Sequence, residues 1–217
     1  MPNVAHHITQ RGNRSEDVFF CDEDRNVFLA LLSHYAARNG LSIQAYCLMS
    51  NHFHLVVTPE TARSLGDALK PVLMRYAQHV NRSQGWTGRL WQGRFFSCAL
   101  DEAHFWTAIR YVETNPVRAR LVRKAQKYRW SSAAAHCGLR RDDLLSGVTD
   151  RAEAIGDWAV WLAGPAAAGE IEALRERTRT GRPLGDDKFV GGLERLLGRA
   201  VRAGKVGRPR KQDKRKT

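Results

Sequence analysis

The sequence predicts an α+β fold: an antiparallel four-stranded sheet with helices on one face, followed by a C-terminal helical extension. Three observations carry this. Runs of β-branched and aromatic residues alternate with amphipathic stretches in the order strand, helix, strand, strand, helix, strand. The second and third strands are separated only by Ser50-Asn51, which suits a tight antiparallel turn and is far too short for a crossover. The 217 residues, 43% of them hydrophobic, suffice for one main core with a segment left over.

Val4 to Thr9 reads as the first strand and Gln10-Arg11-Gly12-Asn13-Arg14 as a basic polar turn. Asp22-Glu23-Asp24 opens a helix, because acidic groups suit the positive end of the helix dipole. Val27, Phe28, Leu31, Leu32, Tyr35 and Ala36 then recur at helical spacing up to a stop at Asn39-Gly40. Leu41 to Met49 and His52 to Thr58 are the next strands, the latter ended by Pro59. Ser64-Leu65-Gly66-Asp67 has the form of a capping box for a second helix, whose apolar face is Leu69, Val72, Leu73, Tyr76 and Val80. Pro71 is expected to kink that helix or shift its start. Trp86 to Leu100 supplies a turn and the fourth strand. The order β-α-β-β-α-β is ferredoxin-like, or RNA-recognition-motif-like, and leaves the face without helices free for a substrate.

A third helix is expected from about Glu102 to near Asn115, because Pro116 disfavours helical backbone in the residue before it. A shorter basic helix follows from Val117 to Lys127. Beyond Trp130-Ser131-Ser132 the chain reads as alanine-rich and irregular, with Trp158 and Trp161 packing onto the main domain. A last amphipathic helix, Lys188 to Arg202, carries Phe189, Leu193, Leu196 and Leu197. The expected organisation is a main domain over 1–135, a helical extension over 136–204 and a disordered basic tail over 205–217.

No apolar run approaches the roughly 18 residues of a membrane span, and the first residues do not resemble a signal peptide, so a cytoplasmic protein is expected, nucleoid-associated if it binds DNA. Cys21, Cys47, Cys98 and Cys137 are scattered and suggest reduced thiols rather than a disulfide framework or zinc knuckle. The net charge of +13 points to a polyanion as partner. From Arg199 onward nine basic residues stand against Asp213, so this end holds +8 and the body keeps +5.

Chemistry centres on Asn51-His52-Phe53-His54-Leu55. On a strand His52 and His54 project to one side, while Phe53 and Leu55 enter the helix-covered face. Two imidazoles on one face can chelate a divalent metal, but such pairs are most often ordinary surface, so a partner is needed. Tyr111-Val112-Glu113-Thr114-Asn115 offers one. Tyr111 and Asn115 share a helix face four residues apart, at the end of the dipole that welcomes a cation. Asn115 offers an amide oxygen as third ligand, and Tyr111 a nucleophilic hydroxyl. Tyr35, Tyr46, Tyr76 and Tyr128 compete for that role, and spacing does not separate them.

These motifs, with His7-Ile8-Thr9-Gln10-Arg11-Gly12-Asn13, Leu90-Trp91-Gln92-Gly93-Arg94-Phe95 and Arg110 to Ala119, resemble the REP-associated tyrosine transposases, single-tyrosine HUH endonucleases related to insertion-sequence transposases. The resemblance covers roughly residues 1 to 140. It implies His52, His54 and Asn115 as ligands of Mg²⁺ or Mn²⁺ and Tyr111 as the catalytic tyrosine. Cleavage would give a 5′-phosphotyrosine and a free 3′-OH. The implied substrate is a palindromic DNA hairpin with a single-stranded flank. Arg11, Arg14, Arg89, Arg94, Arg110 and Arg118 are then candidates for phosphate contacts, and Trp91 and Phe95 for stacking on unpaired bases. Arg208 and Arg210 lie in Gly207-Arg208-Pro209-Arg210, which resembles an AT-hook core but lacks an arginine before the glycine. Related insertion-sequence enzymes form dimers that share active sites, whereas the long extension here favours a monomer. The alternative is a non-catalytic nucleic-acid-binding module on the same sheet, which would carry aromatics where this strand carries histidines.

Overall fold

The computed structural model describes residues 1–146, 155–165 and 168–202. Four strands, β1 (Ala5–Arg11), β2 (Leu41–Leu48), β3 (His52–Pro59) and β4 (Phe96–Leu100), form one antiparallel sheet in the order β2-β3-β1-β4. Helix α1 (Asp22–Arg38) links β1 to β2 and α2 (Ser64–Gln84) links β3 to β4, which is the expected ferredoxin-like connection. Phe28, Leu32 and Ala36 of α1 and Leu69, Val72, Tyr76 and Val80 of α2 enclose a core with Ile8, Phe53, Leu55 and Val57.

Local chemistry explains the boundaries. Asp24 accepts from the backbone N–H groups of Phe20 and Cys21 at 2.9 and 3.2 Å, closing the start of α1. Gly40, at φ +59°, turns the chain out of α1 in the left-handed region that glycine tolerates. The Ser64-Asp67 capping box does not form. Ser64 Oγ accepts from the Thr61 amide at 3.0 Å instead, and Asp67 pairs with Arg63 at 3.1 Å. Pro71 lies inside an unbroken α2.

The face expected to be free is partly covered. Helix α3 (Glu102–Glu113) and the C-terminal helix α7 (Ala168–Thr180) pack on it, because β2, β3 and β4 show apolar Ala45, Cys47, Val56, Cys98 and Leu100 on that side, and helix α6 (Trp158–Ala163) joins the same core through Trp158 and Leu162. Trp158 is buried in this second core and Trp161 packs beside it, as expected. Helix α7 falls where an irregular segment was expected.

Pro116 has no amide to donate to Val112, so α3 closes at Glu113 and a short α4 (Asn115–Arg118) restarts after Thr114. The basic helix expected to Lys127 reduces to α4 and a 3₁₀ turn, Ala125–Lys127, because Arg120 at φ +58° breaks the helical path. Helix α5 spans Ala133–His136. The last helix, α8, spans Asp187–Leu197 and ends at left-handed Gly198. It buries Val190 and Leu193, while Leu196 and Leu197, expected on its apolar face, are exposed. No disulfide joins the cysteines, and among the described residues no helix is long and apolar enough to cross a membrane.

Candidate active site

The uncovered part of the second face is a cavity of about 680 Å³, lined among others by His7, Thr9, Arg11, His52, His54, Tyr111, Asn115, Arg118, Arg175 and Thr178. Strand register assembles it. Thr9 lies opposite His54 and Arg11 opposite His52 in the β1–β3 ladder, so side chains of both strands rise on one side. The His52 and His54 ring centroids are 5.0 Å apart. Helix α3 lowers Tyr111 onto the same spot, edge-on to His54 at 5.3 Å and to His7 at 5.7 Å.

The sequence left five tyrosines in competition, and Tyr111 alone of them lines this cavity. Tyr46 donates its hydroxyl to Asp142 at 2.6 Å, Tyr76 to the Val18 carbonyl at 2.6 Å and Tyr128 to the Leu48 carbonyl at 2.8 Å. Tyr35 packs against the first core. Asn115 also lines the cavity, from the first turn of α4 rather than the last turn of α3.

The electrostatics favour an anion. The Arg118 guanidinium lies 4.1 Å from the Tyr111 ring centroid, while donating to the Tyr111 carbonyl at 2.7 Å and the Thr114 hydroxyl at 2.6 Å. Arg175 Nε is 3.4 Å from the Tyr111 hydroxyl. Burial, reinforced by Arg11, holds His52 down to about 4. Burial and the neighbouring His7, His52, Arg118 and Arg11 hold His54 well below the ordinary imidazole range. Both are therefore neutral at pH 7, the form in which imidazole donates a lone pair.

The hydrogen-bond network fixes which nitrogen of His52 is free. The Asn51 amide nitrogen donates to the Ser15 carbonyl at 3.0 Å, which turns its Oδ1 toward His52 Nδ1 at 2.6 Å. An amide oxygen only accepts, so His52 carries its proton on Nδ1 and keeps Nε2 as a lone pair. Among the described residues no group of three or more His, Cys, Asp or Glu is arranged to hold a metal. Beside the two imidazoles, the lining offers the Asn115 amide oxygen as an oxygen donor.

The remaining predicted contacts divide. Arg11 and Arg118 line the cavity, whereas Arg14, Arg89 and Arg94 are exposed outside its lining. Trp91, expected to stack on bases, is buried, and its indole donates to the Leu73 carbonyl at 3.0 Å. Phe95 is half-buried against the same core. Arg110 spans from α3 to the α6 end, donating to the carbonyls of Trp161 at 2.8 Å and Pro165 at 3.0 Å, and so does not face the cavity. Arg208 and Arg210 lie outside the described residues. Sequence reasoning missed His7, Arg175, Thr178 and Arg179 in the lining. The alternation that pairs His52 with His54 also puts His7 on the face of Thr9 and Arg11, whereas nothing local announces the residues of α7.

Fold and cavity together define the class, a ferredoxin-like domain whose open face holds a histidine- and tyrosine-lined cleft ringed with arginines. The chain belongs to the IS200-like transposase family, whose model, Transposase IS200 like, matches residues 1–115. Among solved structures it is similar to a REP-associated tyrosine transposase bound to a REP hairpin, at 16% identity and a TM-score of 0.51, over 68% of this chain and 90% of that one. A protein of Deinococcus radiodurans R1, provisionally assigned as a transposase, matches at 21% identity and a TM-score of 0.37, over 51% of this chain and 88% of that one. No curated protein matches the chain.

Proposed function

We propose that this transposase is a metal-dependent endonuclease and strand transferase of the REP-associated type, acting on single-stranded DNA beside a palindromic hairpin. The observation that carries the reading is the shared cavity: Tyr111, two neutral histidines and Asn115 converge with Arg11, Arg118 and Arg175. The hairpin substrate is supported by the solved neighbour, which holds a REP hairpin.

On this reading His52 Nε2, His54 Nε2 and the Asn115 amide oxygen would hold Mg²⁺ or Mn²⁺, which would supply Lewis-acid polarisation of the scissile phosphate. The chain's own groups do the rest. Arg11 and Arg118 neutralise the phosphodiester and hold it against the β1–β3 face. Tyr111, its ring fixed between His54 and Arg118, loses its proton to solvent water and attacks phosphorus. The bond to the 3′ oxygen breaks, that oxygen takes up a proton from water and leaves as a 3′-OH, and a 5′-phosphotyrosine remains. Arg175 stands where it can meet charge on the phenolic oxygen. Reversing the step with a new 3′-OH rejoins DNA without ATP, because the phosphotyrosine keeps the energy of the phosphodiester.

The test is incubation of the protein with a hairpin bearing a single-stranded flank and Mn²⁺ or Mg²⁺, followed by denaturing electrophoresis. A covalent adduct is expected from the wild type and none from Tyr111→Phe. Binding without any adduct would favour a non-catalytic module.

A further inference from the structure

His7 is buried in the cavity, yet the cleavage chemistry gives it no task. Its ring is nearly coplanar with that of His54, at 14° and 5.1 Å between centroids. His7 Nε2 lies 3.0 Å from His54 Nδ1, and His7 Nδ1 lies 2.7 Å from the Thr178 hydroxyl oxygen on α7. That hydroxyl is in turn 2.7 Å from the Leu174 carbonyl oxygen, one helical turn back.

The far end of this chain sets the direction of every proton in it. A carbonyl oxygen only accepts, so the Thr178 hydroxyl donates to Leu174 and its oxygen receives the Nδ1–H of His7. The Cys98 thiol also approaches Thr178, but sulfur is the weaker acceptor for that proton. A neutral imidazole has one N–H, so His7 Nε2 is a lone pair and receives the Nδ1–H of His54. His54 Nε2 then remains a lone pair. Burial, with Arg118 nearby, keeps His7 neutral down to about pH 3, which agrees with a single proton per ring. The reverse polarity would break the Thr178–Leu174 bond and leave an N–H on His54 Nε2, where no cation can bind.

We propose that His7 and Thr178 are positioning residues that hold His54 in its Nδ1–H tautomer, aiming the Nε2 lone pair into the cavity. Helix α7, beyond the 1–115 region that matches the family model, thereby acts on the sheet's histidine pair. The consequence for metal affinity rests on the proposed function, whereas the tautomer itself does not. Partners that orient a ligand's ring typically contribute 10- to 100-fold in metal affinity.

Long-range proton–nitrogen NMR correlations on the full-length, metal-free protein read the tautomers directly. His7, His52 and His54 are all expected as Nδ1–H forms. Thr178→Val removes the acceptor at nearly constant volume, so the His54 tautomer should become mixed and the Mn²⁺ dissociation constant, read by electron paramagnetic resonance, should rise about 10- to 100-fold. Thr178→Ser should restore both. His52, held separately by Asn51, should keep its tautomer in each variant and so report an intact sheet. An Nε2–H form of His54 in the wild type overturns the proposal whether or not any variant folds. So does a Thr178→Val protein with an intact His52 signal and unchanged His54 tautomer. The expected tautomers in a wild type without Mn²⁺ affinity support the positioning chain and remove the metal reading, so the two failures are separable.

Discussion

Tyr111 meets His54 at its edge, Arg118 over its face and Arg175 at its hydroxyl, and each contact suggests a different experiment. Arg175 is half-exposed, pairs with Glu172 at 3.6 Å and turns its Nε to the phenolic oxygen, so Arg175→Ala should slow cleavage about 10- to 100-fold while leaving hairpin affinity within a few-fold. Single-turnover cleavage beside a binding titration checks this. The buried histidines make a second prediction. Burial is the leading cause that holds His6 and His7 to about 3, followed by the positive N-terminus for His6 and Arg118 for His7. In the unfolded chain these rings protonate near pH 6.5. Below that pH the unfolded state binds protons that the folded state refuses, so stability falls with pH until the folded values near 3 are reached. Each of the two contributes up to about 1.4 kcal/mol per pH unit. Urea unfolding in metal-free buffer should show a clearly lower midpoint at pH 5.5 than at pH 7.5, and an equal or higher one contradicts the buried, neutral assignment.

Among the elements, α3 carries the site and Glu113 anchors its end. The fully buried Glu113 carboxylate accepts from Ser132 Oγ, from the His136 ring and, at 2.8 Å, from Trp158 Nε1, tying α3 to α5 and α6. Glu113→Ala would strand those buried donors and should cost about 3 kcal/mol or more, read by chemical denaturation. What the sequence made legible follows the same packing logic. The strands and the buried faces of α1 and α2 show because burial on one side writes a period of two or 3.6 into the residues. Helix α7 stayed hidden because its apolar stripe is thin, with Leu174 and Thr178 buried and Ile171 and Ala173 partly so, in a segment dense with charge. Trp91 misled because it sits in a polar, glycine-containing stretch with Gln92, Gly93 and Arg94, while its indole is satisfied by the carbonyl of Leu73 on α2, 18 positions earlier in the chain.

The whole molecule brings His52, His54, Tyr111 and Asn115 into one cavity within a single chain, so on the proposed reading one copy supplies both the histidines and the tyrosine. A monomer by light scattering that still forms the adduct is expected on the proposed reading. A dimer whose adduct yield is restored by mixing Tyr111→Phe with His54→Ala would contradict it. Seven of the basic residues lie at 205–217, against Asp213, so deleting that tail should weaken DNA binding and flatten the dependence of log affinity on log salt, with adduct chemistry retained. The histidine pair and Tyr111 were legible as candidates because strand and helix spacing put each on a definable face. Their convergence with α7 was not, since it depends on a contact between residues 171 positions apart, His7 and Thr178. Whether Tyr111 is the nucleophile is tested most directly by mapping the DNA-linked peptide by mass spectrometry after reaction with a 3′-labelled strand and Mn²⁺, because the 5′-phosphotyrosine retains the piece that carries the 3′ end. A single linkage at Tyr111 that disappears in His54→Ala is expected. Linkage at Tyr35, Tyr46, Tyr76 or Tyr128, or at Tyr111 with undiminished yield in His54→Ala, would contradict it.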